Sequence, residues 1–333
     1  MRTGRDRKAR PAAGQLDLLS TPPSQPVLER EGASTGIEWT EDTVNIWAGC
    51  SKVSPGCKNC YAIVSAAHIE RCRTSPHYEG LTTRLENGQL DWAVDAAGHA
   101  VLGYNPNAIR KILSARPGRL LFLNSMSDFW HPDAKDEWRR AALEAISSRP
   151  DVCVQVLTKR PELVAPILKR MGAKLPDNFW LGVTIESRTF AAARLRLIRQ
   201  VDAFIRFLSV EPLLDDVVGR GLDLSGIHWV IAGGESGEGA RPMKPLWAQR
   251  LRDHCEQHSV PFFFKQWGQW RNNPIGSTYS EVRERDPNGK GGSLLDGRSH
   301  RDFPARFWER WGKFRQQAVS LAPGGRLPLV EEQ

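Results

Sequence analysis

Residues 119–128 read Arg119-Leu120-Leu121-Phe122-Leu123-Asn124-Ser125-Met126-Ser127-Asp128, an apolar run that ends abruptly in short polar side chains. The run is far too short to span a membrane, and it lacks the alternation of a half-exposed strand. It reads instead as a strand covered on both faces, as in parallel sheets. The polar cluster then marks the strand's C-terminal end. Working outward, similar runs predict strands over 43–48, 152–158, 179–184, 205–210, 227–232 and 261–265. Amphipathic stretches between them predict helices over 136–147, 161–171, 187–200 and 246–258. Strands alternating with helices indicate an α/β fold around a parallel sheet, here a partial or full parallel (β/α) barrel over 37–270. Residues 73–118 fit no such unit and are expected to form an insertion over one end.

Each predicted strand runs into polar residues: Asn124, Ser125, Ser127 and Asp128; Thr158, Lys159 and Arg160; Thr184 and Glu186; Ser209 and Glu211; Gly233, Gly234 and Glu235; Lys265 and Gln266. Capping or a turn explains any one cluster. It does not explain the whole series, because Lys159, Arg160, Lys265 and Gln266 are poor caps. Strand C-terminal ends are where parallel α/β folds carry their sites.

The chain of 333 residues is 40% hydrophobic and 25% charged, an ordinary globular balance that argues against a disordered, fibrous or membrane-spanning protein. Its net charge of +8 favours encounter with polyanions. Residues 1–36 combine Arg, Pro, Gly and Ser without apolar periodicity, which predicts a flexible basic arm. The arm has no apolar segment of the secretory type, so a cytoplasmic, reducing location is expected. Residues 271–333 are expected to form a C-terminal extension that covers the substrate.

Three of the six cysteines lie in Gly49-Cys50-Ser51-Lys52-Val53-Ser54-Pro55-Gly56-Cys57-Lys58-Asn59-Cys60-Tyr61. Where disulfides are disfavoured, such spacing suits metal or catalytic chemistry. Pro55 and Gly56 supply a turn that brings Cys50 toward Cys57 and Cys60. Two chemistries fit: a closed structural zinc completed by His68 or Cys72, or an iron–sulfur cluster held by three thiolates with one iron open. Location after the first strand, at the mouth of the sheet, favours the open site. Cys72, Cys153 and Cys255 are isolated and read as small buried hydrophobes.

The three-cysteine loop followed by six further strands resembles the radical S-adenosylmethionine superfamily. More narrowly, the strings at 49–62 (GCSKVSPGCKNCYA), 123–128 (LNSMSD), 157–161 (LTKRP), 181–186 (LGVTIE), 208–214 (LSVEPLL), 229–243 (WVIAGGESGEGARPM) and 261–268 (PFFFKQWG) resemble an uncharacterised, phage-associated three-cysteine-motif family. The superfamily resemblance implies a 4Fe-4S cluster on Cys50, Cys57 and Cys60, with S-adenosyl-L-methionine chelated to the fourth iron. Reduction by an external electron donor would cleave the sulfonium and release a 5′-deoxyadenosyl radical. The first cysteine interval departs from the superfamily pattern, with six residues in place of the usual three. Asn59 stands where an aromatic residue usually precedes the last cysteine, and Tyr61 follows instead.

By position, Asn124, Ser125, Ser127 and Asp128 are the candidates for the methionyl amine, and Thr184 and Glu186 for the ribose. Gly233 and Gly234 are expected to admit the adenine to the backbone, with Glu235 beside a hydroxyl. Lys159 and Arg160 suit a carboxylate or phosphate, and Glu211, Lys265, Gln266 and Trp267 complete the candidate substrate groups. Late tryptophans and basic residues, among them Trp270, Arg283, Arg285 and Lys290, suggest a DNA or RNA substrate whose bases stack on the rings. A partner protein is also expected. Two other readings remain open: a zinc-stabilised nucleic-acid-binding protein without catalysis, and a non-radical barrel enzyme using Glu186, Glu211 and Glu235 as acid–base groups.

Overall fold

The computed structural model describes residues 33–219 and 221–320. The expected arm lies outside them, apart from residues 33–36. These last residues are not loose: Ser34 donates its backbone N–H to Glu41 O and Asp42 Oδ1.

Seven strands form one sheet in strict chain order: β1 (Asp42–Val44), β2 (Leu120–Leu123), β3 (Cys153–Thr158), β4 (Phe179–Thr184), β5 (Arg206–Val210), β6 (Trp229–Gly233) and β7 (Phe262–Gln266). Every pairing is parallel. Helices α1 (Tyr61–Cys72), α2 (Asp136–Ser147), α3 (Pro161–Met171), α4 (Arg188–Arg199) and α5 (Pro245–Gln257) occupy every crossover except that from β5 to β6. The result is an open, partial (β/α) barrel. Successive side chains alternate between its faces: Leu121 and Leu123 of β2 join an outer core with Ile146, Ile167, Leu195 and Leu251, while Leu120 and Phe122 join an inner one. Continuous apolar runs are therefore needed because both faces are buried. The helices start and stop where local chemistry requires. Pro161 and Pro245 occupy first turns, where no backbone donor is missed, and Gly172 ends α3 at φ +60°.

The first strand is shorter than expected. After Val44 the ladder gives way to side-chain amides: Asn124 Oδ1 accepts from Ile46 N, and Asn45 Oδ1 accepts from Met126 N. The chain then turns away, so that Trp47–Ala48 pairs antiparallel with Gly103–Tyr104 of the insertion. The rest of the insertion adds a hairpin, Thr82–Arg84 with Leu90–Trp92, packed near α1.

The C-terminal extension is not a single cover. Two short helical segments, Trp270–Asn272 and α6 (Tyr279–Arg285), with the loop after them, lie at the strand C-terminal ends. The following helix, α7 (Ala305–Ser320), plugs the opposite end. Its Phe307 and Trp311 enter the inner core with Trp39, Trp180 and Trp229. Polar groups close the seal: the Trp311 indole donates to Pro150 O at 2.9 Å, that of Trp229 to Asp302 O at 2.7 Å, and Arg315 pairs with Glu41. Segment 300–302 also borders β7, with Phe264 N donating to His300 O.

Trp311 is fully buried and hydrogen-bonded, so truncation removes both packing and a donor. Trp311→Ala is expected to lower unfolding free energy by about 3–5 kcal/mol, read as a lower urea midpoint with an unchanged slope.

Candidate functional site

The strand C-terminal ends enclose a cavity of about 390 Å³ whose wall includes Cys50, Cys57 and Cys60. All three cysteines of the loop therefore face one space. Burial pushes the Cys50 thiol up to about 11, against the pull of the Arg160 guanidinium. Cys60 is also raised by burial, with Lys159 opposing. Such thiols stay protonated until something displaces the proton, as a thiophilic metal does. The adjacent cations would offset the negative charge of a thiolate-bound centre. Among the described residues, no three His, Cys, Asp or Glu side chains converge as a single ion would require. His68 and Cys72, expected as completing ligands in the zinc reading, contact each other at 3.6 Å, with Cys72 exposed rather than buried. Cys153 and Cys255 are buried as expected.

One buried ion pair orders the loop. Asp128, beyond β2, accepts from Trp130 N, Thr158 Oγ1, Lys159 N and Arg160 Nη1. Arg160, just past β3, then reaches the cysteine loop: Nη2 donates to Ser51 O and Oγ at 2.8 Å, and Nη1 lies 3.6 Å from Cys50 Sγ. Asp128 and Arg160 were expected to meet a methionyl amine and a substrate anion, respectively. Both are almost fully buried, and their hydrogen-bonding groups are committed to each other and to this frame.

A second clamp holds the other end of the loop. Asn59, between Cys57 and Cys60, donates to Glu235 Oε2 at 2.9 Å and to Gly239 O at 3.0 Å. Arg241 completes the clamp with a backbone N–H and two guanidinium donors to the same carboxylate. Burial pushes Glu235 up, but Arg241 and Asn59 outweigh it and hold the carboxyl below its usual value. Glu235 is thus a loop anchor rather than a free partner for a hydroxyl.

The remaining candidates divide in the same way. Glu186 is fully buried outside the cavity wall, paired with Arg194 at 2.6 Å, and packed under Gly56, where a Cβ would sit 3.2 Å from its carboxyl carbon. It supports the cysteine turn from below and does not reach a ribose in the cavity. A Cβ at Gly233 would lie 2.8 Å from Glu211 Oε1, and one at Gly234 would lie 2.1 Å from Trp267 O. Protein packing requires glycine at both positions, and Gly234 also lines the cavity. Glu211 lines the cavity but pairs with Lys265 at 2.9 Å. Trp267 is wholly buried in the outer core, with its indole on Leu294 O, so it offers no stacking face.

Ser125 and Ser127 line the cavity while donating to Asn45 Oδ1 and Trp47 O. Thr184 lines it beside Lys159, whose ammonium lies 3.4 Å from Thr184 Oγ1. Two buried amides carry unpartnered atoms on this wall: Asn124 Nδ2 and Gln266 Oε1. Asn124 holds φ +59°, an uncommon conformation that asparagine tolerates better than most residues. Since its oxygen serves Ile46, the amide offers a donor, which suits a carboxylate better than the amine expected there. Among the described residues, Lys159 and Lys290 make no ion pair with a carboxylate. The cavity thus keeps cationic capacity.

The profile of one family, described as a protein of unknown function (DUF5131), matches residues 34–304. The chain belongs to this family. No curated protein and no solved structure matches it. The match begins at the residue that first bonds to β1 and ends before α7, so in this DUF5131 chain it spans the sheet and both clamps of the loop.

Sequence reasoning missed Ser51, Asn59 and His131. Ser51 Oγ lies 2.9 Å from His131 Nε2, while His131 Nδ1 accepts from Asp133 N at 3.2 Å. The imidazole therefore carries its proton on Nε2 and donates to Ser51, the reverse of a general base. Ser51 Oγ receives donors from both Arg160 and His131, which leaves its own hydrogen to point elsewhere. Burial first, and Arg160 second, push His131 down to about 4. Its unfolded-state value is higher, so the unfolded chain binds the extra proton. The stability from neutral His131 is complete above pH 6.5 and is lost as pH falls toward 4, by about 3 kcal/mol at pH 4. Urea unfolding at pH 7 and pH 4.5 is expected to show this loss, and His131→Gln to reduce it.

Proposed function

We propose that this cavity is an iron–sulfur site of the radical S-adenosylmethionine type, acting on an anionic substrate of nucleotide or nucleic-acid class. The observation that carries the reading is the placement of Cys50, Cys57 and Cys60 on one cavity at the strand C-terminal ends, beside the Arg160 guanidinium. The three thiols would hold a 4Fe-4S cluster, each on a different iron, so they need not converge on one point as a tetrahedral zinc demands. When bound with S-adenosyl-L-methionine and reduced, the cluster supplies one-electron cleavage of a sulfonium and hence hydrogen abstraction from carbon.

The chain's own residues bind, orient and exclude water. Arg160 and Lys159 place positive charge beside Cys50 and Cys60. Asn124 Nδ2 and the Lys159 ammonium are donors for a carboxylate, and Gln266 Oε1 is an acceptor for an amino group. The clamps from Asp128 and Glu235 hold the loop at both ends, so the thiols need little reorganisation on loading. The aromatic plug bars water from below. The pairing of Glu186, Glu211 and Glu235 with Arg194, Lys265 and Arg241 leaves these carboxylates poorly placed for acid–base work.

Anaerobically purified protein is expected to contain iron and sulfide. Cys57→Ala should abolish iron retention, whereas Cys255→Ala, in the outer core, should keep it. Stoichiometric zinc without iron in the wild type, or loss of iron from a folded Cys255→Ala variant, would overturn the assignment.

A further inference from the structure

A second cavity, of about 400 Å³, opens between the end of β7 and α6, and Lys290 lines both this cavity and the thiol cavity. Trp270 and Tyr279 form a corner in it. Their centroids are 6.3 Å apart, their planes meet at 78°, and they are 37% and 52% exposed. The corner lets a flat ring lie on one face with its edge against the other. Arg283 stands over it, its guanidinium 6.0 Å from the Tyr279 ring and 3.2 Å from the hydroxyl.

The intervening loop is built to deliver Lys290. Buried Asp286 accepts from Ser293 N, Leu294 N and Asn273 Nδ2. Gly291 and Gly292 adopt φ +87° and +89°, and a Cβ at Gly291 would lie 2.4 Å from the Gln269 carbonyl carbon. The backbone is thereby pressed onto the Trp270 turn. Lys290 itself takes φ +64°, a conformation lysine rarely adopts. Burial and the neighbouring Lys265 both depress its charged form. Glu38 and Glu211 act the other way, but Glu211 is already paired with Lys265, which leaves the Lys290 ammonium to be satisfied by an anion.

We propose that the second cavity receives the flanking nucleotide of a single-stranded nucleic acid, its base on the Trp270–Tyr279 corner and its phosphates at Arg283 and Lys290, so that the strand runs into the thiol cavity. The inference rests on reading the thiol cavity as the reaction centre, and it names that centre's substrate. Charge alone would suit an acidic peptide, but exposed ring faces would then have no partner. Paired bases in a duplex are already stacked on each other, so the corner selects unpaired ones.

The test is fluorescence anisotropy of the full chain with a labelled single-stranded oligonucleotide of mixed sequence, over a salt series. The single strand should bind at low salt and weaken steeply as salt rises. Trp270→Ala and Tyr279→Ala should each weaken binding by about tenfold. Arg283→Gln and Lys290→Gln should each flatten the log–log salt slope by about 0.7. Iron content should be unchanged in all four variants. Tyr279→Ala and Arg283→Gln alter exposed helix surface and keep the test decisive if Trp270→Ala misfolds. No binding at low salt, equally tight binding of the matching duplex, or equal competition by polyglutamate overturns the proposal, the last in favour of an acidic protein. Single-strand binding with these dependences by anaerobically purified wild type that holds stoichiometric zinc and no iron would instead refute the iron–sulfur reading and leave this site standing.

Discussion

The Asp128–Arg160 pair is the joint on which the site depends. Asp128 lies beyond β2, Arg160 beyond β3, and the loop they hold follows β1, so one buried pair joins three neighbouring strand ends. Such a pair adds little net stability, since desolvating both charges consumes most of their attraction. Breaking it is another matter: either charge left alone in the interior costs about 3–5 kcal/mol. Its value is positional, because a guanidinium with this many fixed contacts has one place to be, and that place is against Cys50.

Six residues separate Cys50 from Cys57, and the clamps explain how so long a turn stays ordered. Asn59 reaches across to Glu235 near the end of β6. Gly56 permits close contact with Glu186. Residues that look like ligand-binding groups thus spend their polarity on the protein.

This division sets the limit of what the sequence could reveal. The strands were legible because their runs are apolar on both faces, and the helices because their apolar periodicity is regular, although the crossover helices lack side-chain N-caps. The strand-end clusters were legible as a ring, but not which members face inward. Asp128 and Lys159 look equally available in a string of letters, yet one is consumed by four donors and the other meets only the Thr184 hydroxyl, at 3.4 Å. Trp267 and Trp270, three residues apart, end in the core and at the surface because Gly268, at φ +79°, turns the chain between them. The plug did leave a trace: Phe303, Phe307 and Trp311 recur every four residues, the spacing of one helix face. The trace was masked by the basic residues around it.

The plug also governs traffic. With aromatic rings filling the strand N-terminal end, the thiols communicate with solvent through the mouth they share with the Trp270–Tyr279 cleft and the Lys290 loop. On the function proposed above, whatever loads the thiols would arrive by the door that the substrate uses. Assembly and turnover would then be ordered in time: a chain that captured a polymer first would have its thiols covered, so delivery of metal would have to precede the first encounter with substrate.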